Sequence, residues 1–447
     1  MHLTQVVSFL KQTDELSTAK TLLDTFAKYA NNVEQYDELG MLYEKCKFYQ
    51  DSLALLEKCY ASVYEPQMKK AVRANLSKVY NHLNEPKKSI FYSGLNLEMN
   101  PNDFEALMEQ SFSYYLLGNY AKSYEIQAEL LRKENLPDNV RKRITFNMGS
   151  FEMEEGNFKS GLYKMIMGGK EIGIWAPVRT NFSKWDGSFT NKTVLVYAEA
   201  GIGDEILNIR FMHEFKKRNI NAIWIGHREE TNRLFKRNGF KVLSTKDQLD
   251  PLEEYVYCEA MTLPILLDVD KTEFWQEAYI KPDEKYVEKW RKILPEKFLT
   301  VRWSGNPYYD QDLHRSVDRD LLVSKLKGLN LPLISLQIDN KYVLKDDLID
   351  VDVESWEDTL AIQHLALGNI TSCTSTAHSA GSIDAKNYVL PPICTYYPWL
   401  GRPEENRSWW YSDNTKVFVQ KTHRSWIEPI DSLIEQLKKD LGNASQL

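Results

Sequence analysis

Three short stretches carry the residue types that chemistry needs. The first is "AEAGIGDEILNIRF" (198–211). Gly201 and Gly203 let the backbone turn sharply after an apolar run, and Asp204 and Glu205 then open a segment with helical spacing. A dinucleotide-binding turn would want a third glycine where Ile206 stands, and an acid beside phosphate would repel it. Asp204 therefore reads as a general base at the mouth of a cleft. Glu205 reads as an acid favoured by the positive end of a helix dipole. The second stretch is "VRWSGNPYYDQDLHRS" (301–316). Arg315 offers a planar fork for a phosphate, and Ser304, Asn306 and Ser316 offer hydrogen bonds beside it. The structural alternative is Arg315 paired with Asp310, Asp312, Asp318 or Asp320. The third is "TSCTSTAHSAGSIDA" (371–385). Its small hydroxyl residues Thr374, Ser375 and Thr376 begin a helix whose exposed N–H groups favour an anion, and Gly203 of the first stretch is counted with them on the donor side. His378 falls in the first turn, where the alternative is a buried hydrogen-bonding histidine.

These stretches need strands to end where they begin. Short β-rich runs "TVLVYAE", "AIWIGH" and "YVYCEA" alternate with the helical segments "DEILNIRFMHEFKKR" and "REETNRLFKRNG". A second set starts near Phe298, with strands "FLTVRWSG", "LPLISLQI", "NITSCTS" and "NYVLPP". Its helices are "DRDLLVSKLKG", "WEDTLAIQHLAL" and "TAHSAGSIDA". Such alternation predicts two parallel α/β sheets in series, facing across a cleft, with ligands at the carboxyl ends of the strands. A terminal helix over 425–441 is expected to pack back on the first of these units.

Ahead of them, residues 1 to about 170 show apolar spacing of three and four and no strand alternation. A small motif returns as "CKFYQDSL", "LNEPKKSI", "LGNYAKSY" and "EGNFKSGL". Its first three serines, Ser52, Ser89 and Ser123, lie 37 and 34 residues apart, close to the roughly 34-residue tetratricopeptide period. Stacked helix pairs of this kind leave a concave groove for an acceptor or a partner, or serve as a spacer.

Composition sets outer limits. The 447 residues are 43% hydrophobic, enough for two or three cored domains. A net charge of −7 argues against binding nucleic acid with the whole surface. The basic runs "RKENLPDNVRKR" and "HREETNRLFKRNGFK" read as solvated helix faces. Five scattered cysteines without a CxxC pair argue against a disulfide framework or a structural zinc. No apolar run reaches the roughly 18 residues of a membrane span. The expectation is a cytoplasmic protein with no membrane span and no metal.

Taken together, the stretches resemble the tetratricopeptide-containing glycosyltransferases related to the ADP-heptose:lipopolysaccharide heptosyltransferases. The family pattern "WDG…AEQGLGDxIxFxRY" is matched by "WDGSFTNKTVLVYAEAGIGDEILNIRF". "WSGNP…D…RS" followed by "SLQ" is matched by "WSGNPYYDQDLHRS" and "LISLQ", and "DTxxAHLAGALGKPVWVLLP" by "CTSTAHSAGSIDAKNYVLPP". A tryptophan-bearing "YYPWLGRPEENRSWWYS" follows. The resemblance runs from about Trp175 to Leu441. It implies a GT-B fold, a nucleotide-sugar donor held mainly by the C-terminal unit, and inverting transfer with no catalytic metal and no cofactor. Carried over by position, Asp204 matches the base, Arg315 and Ser316 the diphosphate-side loop, and Thr374 and His378 the donor loop. Cys373 stands where the family has an acid that contacts the donor sugar. A different sugar would follow, or Asp384 would take over that role.

The expected layout is helical repeats over 1–175, a linker over 176–192, an acceptor-side unit over 193–292 and a donor-side unit over 293–447. The expected activity is transfer of a sugar to a hydroxyl deprotonated by Asp204. A peptide or glycan in the repeat groove is the first acceptor class. A hydroxylated DNA base is the second, weighed down by the acidic charge. The rival is a non-catalytic interaction protein that keeps the fold.

Overall fold

The computed structural model describes residues 3–12, 15–175, 177–269, 277–307, 309, 311–337, 348–402 and 406–444. It divides into two compact units, Met1–Val140 with Pro307–His314, and Arg141–Asn306 with Arg315–Leu447.

The first unit is built from antiparallel helix pairs. Its helices are α1 (Leu3–Gln12), α2 (Leu16–Ala27), α3 (Val33–Lys45), α4 (Tyr49–Ser62), α5 (Pro66–His82), α6 (Pro86–Met99), α7 (Phe104–Leu116) and α8 (Tyr120–Leu131). The recurring motif now has a mechanical meaning. Its second position ends one helix in the left-handed region, at Lys47 (φ 66°), Asn84 (φ 58°) and Gly118 (φ 76°). That conformation lets the chain reverse into the next helix. Its seventh position is the small residue at which the two helices of a pair cross. Ser52 Oγ donates to the Gly40 carbonyl (2.7 Å), Ser77 Oγ to the Ser89 carbonyl (3.0 Å) and Ser111 Oγ to the Ser123 carbonyl (3.1 Å). Each crossing joins residues twelve apart. Small hydroxyls let the backbones approach and satisfy buried carbonyls at the same time. The segment Pro307–His314 belongs to this unit, where His314 is buried with Nε2 3.1 Å from the Asn81 carbonyl oxygen.

A fifth helix pair, the fourth to carry this reversal and crossing, is α9 (Asp138–Glu154) with α10 (Phe158–Glu171), and it opens the second unit. Gly156 (φ 89°) is its left-handed residue. Gly149 and Gly161 take the crossing positions, where an added Cβ on either would lie 2.5 Å from the other's carbonyl oxygen. Phe158, Leu162, Met165 and Ile166 of α10 share one core with Val194 and Val196 of the following sheet. The compact division thus falls near Val140, not at the repeat end expected at 175.

Next come β1 (Ser183–Lys184), β2 (Thr193–Tyr197), α11 (Ile202–Asn208), α12 (Met212–Lys217), β3 (Ala222–Gly226), α13 (Glu229–Arg237), β4 (Val242–Ser244), β5 (Tyr255–Glu259), α14 (Leu263–Leu266) and α15 (Glu284–Arg291). The strands form a parallel sheet in the order β1-β5-β2-β3-β4. The stretch expected as a linker contributes β1, an edge strand on β5, and buries Trp185 against Phe215 at 5.1 Å between ring centres.

The C-terminal half holds β6 (Leu299–Arg302), α16 (Asp312–Arg315), α17 (Arg319–Lys327), β7 (Leu333–Ser335), α18 (Trp356–Leu365), β8 (Gly368–Ser372), α19 (Ser375–Ser382), β9 (Asn387–Leu390), β10 (Gly401–Arg402), β11 (Arg407–Ser408), β12 (Thr415–Val417) and α20 (Ile427–Ala444). The sheet order is β10-β11-β12-β9-β8-β6-β7, parallel from β12 to β7 with an antiparallel margin. The terminal helix does not return to the first sheet. Its Ile430, Leu433 and Leu437 pack with Leu299, Val301, Tyr388 and Leu390 of its own half, because its apolar stripe matches that sheet's uncovered face.

In each sheet the chain steps from an inner strand, β2 or β6, to one side and later returns to the other. Crevices therefore open at the carboxyl ends of β2 and β5, and of β6 and β8. The three chemistry-bearing stretches begin at those strand ends.

Candidate active site

The loop after β2 is held in a demanding shape. Ala200 takes a left-handed φ of 60°, a conformation alanine disfavours. Arg228 stabilises it by donating from Nη2 to the Ala200 carbonyl (2.9 Å) and from Nη1 to Glu205. Glu205 is fully buried and also accepts from Thr231 Oγ1 (2.6 Å). It is the anchor of the loop, and the basic run around Arg228 is spent on this internal contact. Arg237 of the same run pairs with Glu357 at 2.7 Å.

Asp204 occupies the third position of α11. Its Oδ2 accepts from the Gly201 N–H (2.9 Å) and its Oδ1 from the Tyr396 hydroxyl (2.7 Å). Burial pushes its carboxyl above the ordinary value of 3.8, against the opposing pull of those two hydrogen bonds. Gly203, just before it, lies against α19. A Cβ there would sit 2.8 Å from His378 Cδ2 and 3.3 Å from Ser375 Cα. Only glycine lets these two helix starts meet.

On the other side, β8 ends and Thr374 caps α19 in an extended conformation without a side-chain cap bond. Thr374 Oγ1 lies 3.3 Å from Thr371 Oγ1. Ser375 is half-buried at the contact with Gly203. Thr376 is 2% exposed and Ser304, beyond β6, is 1% exposed, yet neither side-chain hydroxyl has a hydrogen-bond partner. Unpaired buried hydroxyls are unfavourable and call for an explanation. The Ser304 N–H donates to Gln337 Oε1 (3.1 Å). Asn306 is exposed and Ser316 half-buried. Arg315, half-buried, donates from Nη1 to the Cys373 carbonyl (3.2 Å), tying the loop after β6 to the end of β8. Of the acids considered as its partners, Asp318 caps α17 at the Leu321 N–H (3.0 Å) and Asp320 pairs with Arg319 (2.7 Å). Asp312 is buried, and Asp310 lies outside the described residues.

One expectation needs correction, that for Asp384. His378, expected on the donor side at a helix start, is a neutral group there. It is 4% exposed, and burial, with Arg210 and Arg315 nearby, holds its pKa down to about 3. Its Nδ1 is 2.7 Å from the Tyr411 hydroxyl, and its ring packs on Trp399 at 4.7 Å. Asp384 does not replace the acid absent at Cys373. It lies past the far end of α19, with φ 56°, where its carboxylate accepts from Ser412 and its carbonyl from Asn414 Nδ2 (3.1 Å). The short turn into β9 leaves it at the amino ends of the strands, whereas Cys373, its side chain buried, lies at their carboxyl ends, just after β8.

No protein-family model matches the chain, and no curated protein matches it. Solved structures match it in parts. YrrB, a TPR protein with an unusual peptide-binding site, aligns over 38% of this chain and 85% of its own, at 19% identity and a TM-score of 0.26. The dodecameric iron-containing heptosyltransferase TibC, in complex with ADP-D-β-D-heptose, aligns over 58% of this chain and 78% of its own, at 9% identity and a TM-score of 0.40. The E. coli heptosyltransferase WaaC with ADP aligns over 56% of this chain and 99% of its own, at 10% identity and a TM-score of 0.35. Among the described residues, no group of three or more His, Cys, Asp or Glu could hold a metal ion. Among them also, no helix is long and apolar enough to cross a membrane.

Several residues at the site carried no signal in the sequence. Tyr396 reaches Asp204 from 192 positions away. Arg210 is fully buried and donates to the Leu207 carbonyl (2.8 Å), the Tyr279 hydroxyl (2.9 Å) and the Trp410 carbonyl. A buried arginine inside "ILNIRF" is the nearest thing to a clue, since nothing local could neutralise it. A shallow depression of about 810 Å³ lined by Thr193, Asn221 and Glu253 lies at the opposite end of β2 from Asp204 and contains none of these groups.

Proposed function

We propose that this chain is a glycosyltransferase that moves a sugar from a nucleotide-sugar donor to a hydroxyl acceptor. One observation carries the reading. The helix start bearing a carboxylate of raised pKa in one α/β half abuts, through Gly203, the helix start rich in small hydroxyl residues in the other. A base and an anion-favouring helix terminus thus stand side by side, as displacement of a diphosphate by a hydroxyl requires. In the proposed step Asp204 takes the acceptor proton while the acceptor oxygen attacks the anomeric carbon. The bond from that carbon to the diphosphate oxygen breaks, and configuration inverts. Arg315 and the N–H groups of α19 receive the negative charge that develops on the leaving group. The unpartnered hydroxyls of Ser304 and Thr376 are further donors for the nucleotide sugar. Asn306, Ser316, Thr374 and Ser375 complete the donor side. The step as written calls on no metal.

The acceptor is a peptide or glycan held by the helical repeats, and the setting is cytoplasmic. A hydroxylated DNA base fits the chemistry but not the charge of −7. A non-catalytic interaction protein is the second reading. It is favoured by the occupation of both Asp204 oxygens and by Cys373 in the acid's place.

The test is nucleoside diphosphate release from a panel of nucleotide sugars, with mass spectrometry of peptide, glycan and DNA acceptors. Release that Asp204→Asn lowers by about 100-fold or more supports the enzyme. No release from any donor, with nucleotide affinity also absent, supports the second reading.

A further inference from the structure

The loop after β6 does not stay with its sheet. The chain belongs to the α/β unit up to Asn306, to the repeat unit from Pro307 to His314, and to the α/β unit again from Arg315. Within the repeat unit His314 is 4% exposed. Its Nε2 lies 3.1 Å from the carbonyl oxygen of Asn81, in the last turn of α5. A carbonyl can only accept, so Nε2 carries a proton and donates it here. The last carbonyls of a helix lack partners within the helix. That of Asn81 accepts the Asn84 N–H (3.0 Å), and the His314 ring supplies a second donor. Nδ1 faces the Gln311 side-chain oxygen, and Phe112 of α7 meets the ring edge-on at 6.4 Å.

The mount is held from both helices. Asn81 is 1% exposed, and its side chain joins α5 to α7. Its Nδ2 donates to the Glu109 carbonyl (3.1 Å) and carboxylate (2.8 Å), and its Oδ1 lies 2.7 Å from Ser113 Oγ. His314 also shares the single turn α16 with Arg315. The backbone of that turn is fixed by Asp312 N–H to the Tyr309 carbonyl (2.9 Å) and His314 N–H to the Gln311 carbonyl (3.1 Å). Consecutive side chains on a helical turn diverge by about 100°. Fixing the His314 ring therefore fixes the direction in which Arg315 leaves the turn. Arg315 Nη1 then donates to the Cys373 carbonyl, just past β8 (3.2 Å). An arginine held in place before its ligand arrives loses less freedom on binding.

We propose that α5 and α7 of the repeats form a docking site for this chain's own loop, and that His314 is a positioning residue that presets Arg315 for the leaving diphosphate. The docking stands on contacts within the repeat unit. The presetting rests on the glycosyltransferase reading. The repeats then support the donor side directly, whatever acceptor they hold.

The test compares the full chain as wild type, His314→Phe, His314→Gln and Arg315→Ala. Phenylalanine keeps a ring against Phe112 but cannot donate, and glutamine returns an N–H near the place of Nε2. Hydrogen exchange of peptides within 311–316, read by mass spectrometry, tests the docking. His314→Phe should exchange about three- to tenfold faster there, the equivalent of one hydrogen bond, with His314→Gln near wild type. Thermal melting shows that each variant is folded. Equal exchange in wild type and His314→Phe overturns the docking. Titration calorimetry with inorganic pyrophosphate tests the presetting. Arg315→Ala should weaken binding by about tenfold or more, and His314→Phe by about three- to tenfold, with His314→Gln restoring most of it. A residue that acts through Arg315 has nothing to act on once Arg315 is gone. His314→Phe should then have no further effect in the Arg315→Ala background. Additive losses, or wild-type affinity in His314→Phe, overturn the presetting. Pyrophosphate that binds wild type no better than Arg315→Ala overturns it together with the donor-side reading of Arg315, whereas the docking is decided by exchange alone.

Discussion

The hydrogen bond from Tyr396 to Asp204 yields the sharpest prediction. At 2.7 Å it is a short hydroxyl-to-carboxylate bond, and it favours the charged form of Asp204. Tyr396→Phe removes it while keeping the ring that meets Tyr397 edge-on at 4.6 Å. Hydrogen bonds to charged groups contribute about 1.5–3 kcal/mol, and one pKa unit corresponds to about 1.36 kcal/mol. Tyr396 is half-buried, so the lower end applies, and Asp204 should titrate about one unit higher in the variant. The acidic limb of kcat/KM against pH, measured by nucleoside diphosphate release from the donor that the panel identifies, should move up by about one unit. On the alkaline plateau activity should hold or rise, because the phenol no longer competes with the acceptor hydroxyl for Oδ1. Thermal melting of the variant separates this from unfolding. A limb that stays in place, or moves to lower pH, refutes the idea that Asp204 is the base and that Tyr396 tunes it.

Other outcomes follow from the same contacts. Asp204 is harder to ionise in the fold than in the unfolded chain, so ionisation destabilises the fold above the ordinary value of 3.8. Asp204→Asn should melt at a higher temperature than wild type at neutral pH, with the gap closing as the pH falls toward 4. His378 falls from an ordinary 6.5 to about 3 in the fold. Its contribution to stability is complete above 6.5 and is lost at up to about 1.4 kcal/mol per unit as the pH falls toward 3. Urea unfolding of wild type and His378→Gln at several pH values in that range should show a shallower decline for the variant. A chain beginning at Arg141 should fold, whereas one beginning at Trp175 should not. The latter loses four α10 side chains from the shared core, at about 1.5–3 kcal/mol each against a total stability of about 5–15 kcal/mol. Soluble yield and melting of the two chains decide it.

The strands that end at the site were legible because β-branched runs stop at glycine, serine or asparagine, as at Val196 before Gly201 and Val301 before Gly305. The repeats were legible because one backbone reversal and one tight crossing recur, leaving Ser52, Ser89 and Ser123 at like places. What escaped depends on distance along the chain. Tyr396 meets Asp204, and Arg210 meets Trp410, across 192 and 200 residues, and no local pattern announces such a meeting. β1 escaped because two residues are too short for alternation to appear. The boundary near Val140 escaped because α9 and α10 keep the repeat pattern while α10 gives its apolar stripe to another core. Asp384 misled because nearness in sequence to Cys373 hides a helix's length between them.

The bond between Tyr396 and Asp204 also spans the two α/β halves, and this couples shape to acidity. A rotation that parts the halves at this point breaks the bond and also returns Asp204 to water, and burial is the larger of the two influences on its acidity. Opening then brings the carboxyl back toward its ordinary value and releases a proton, and closing takes one up, over the pH range in which the carboxylate titrates. By reciprocity, acid favours the closed form and base the open form. The proton is in that sense a ligand of the hinge. The balance between open and closed forms should therefore carry a pH dependence of its own, even with no sugar bound.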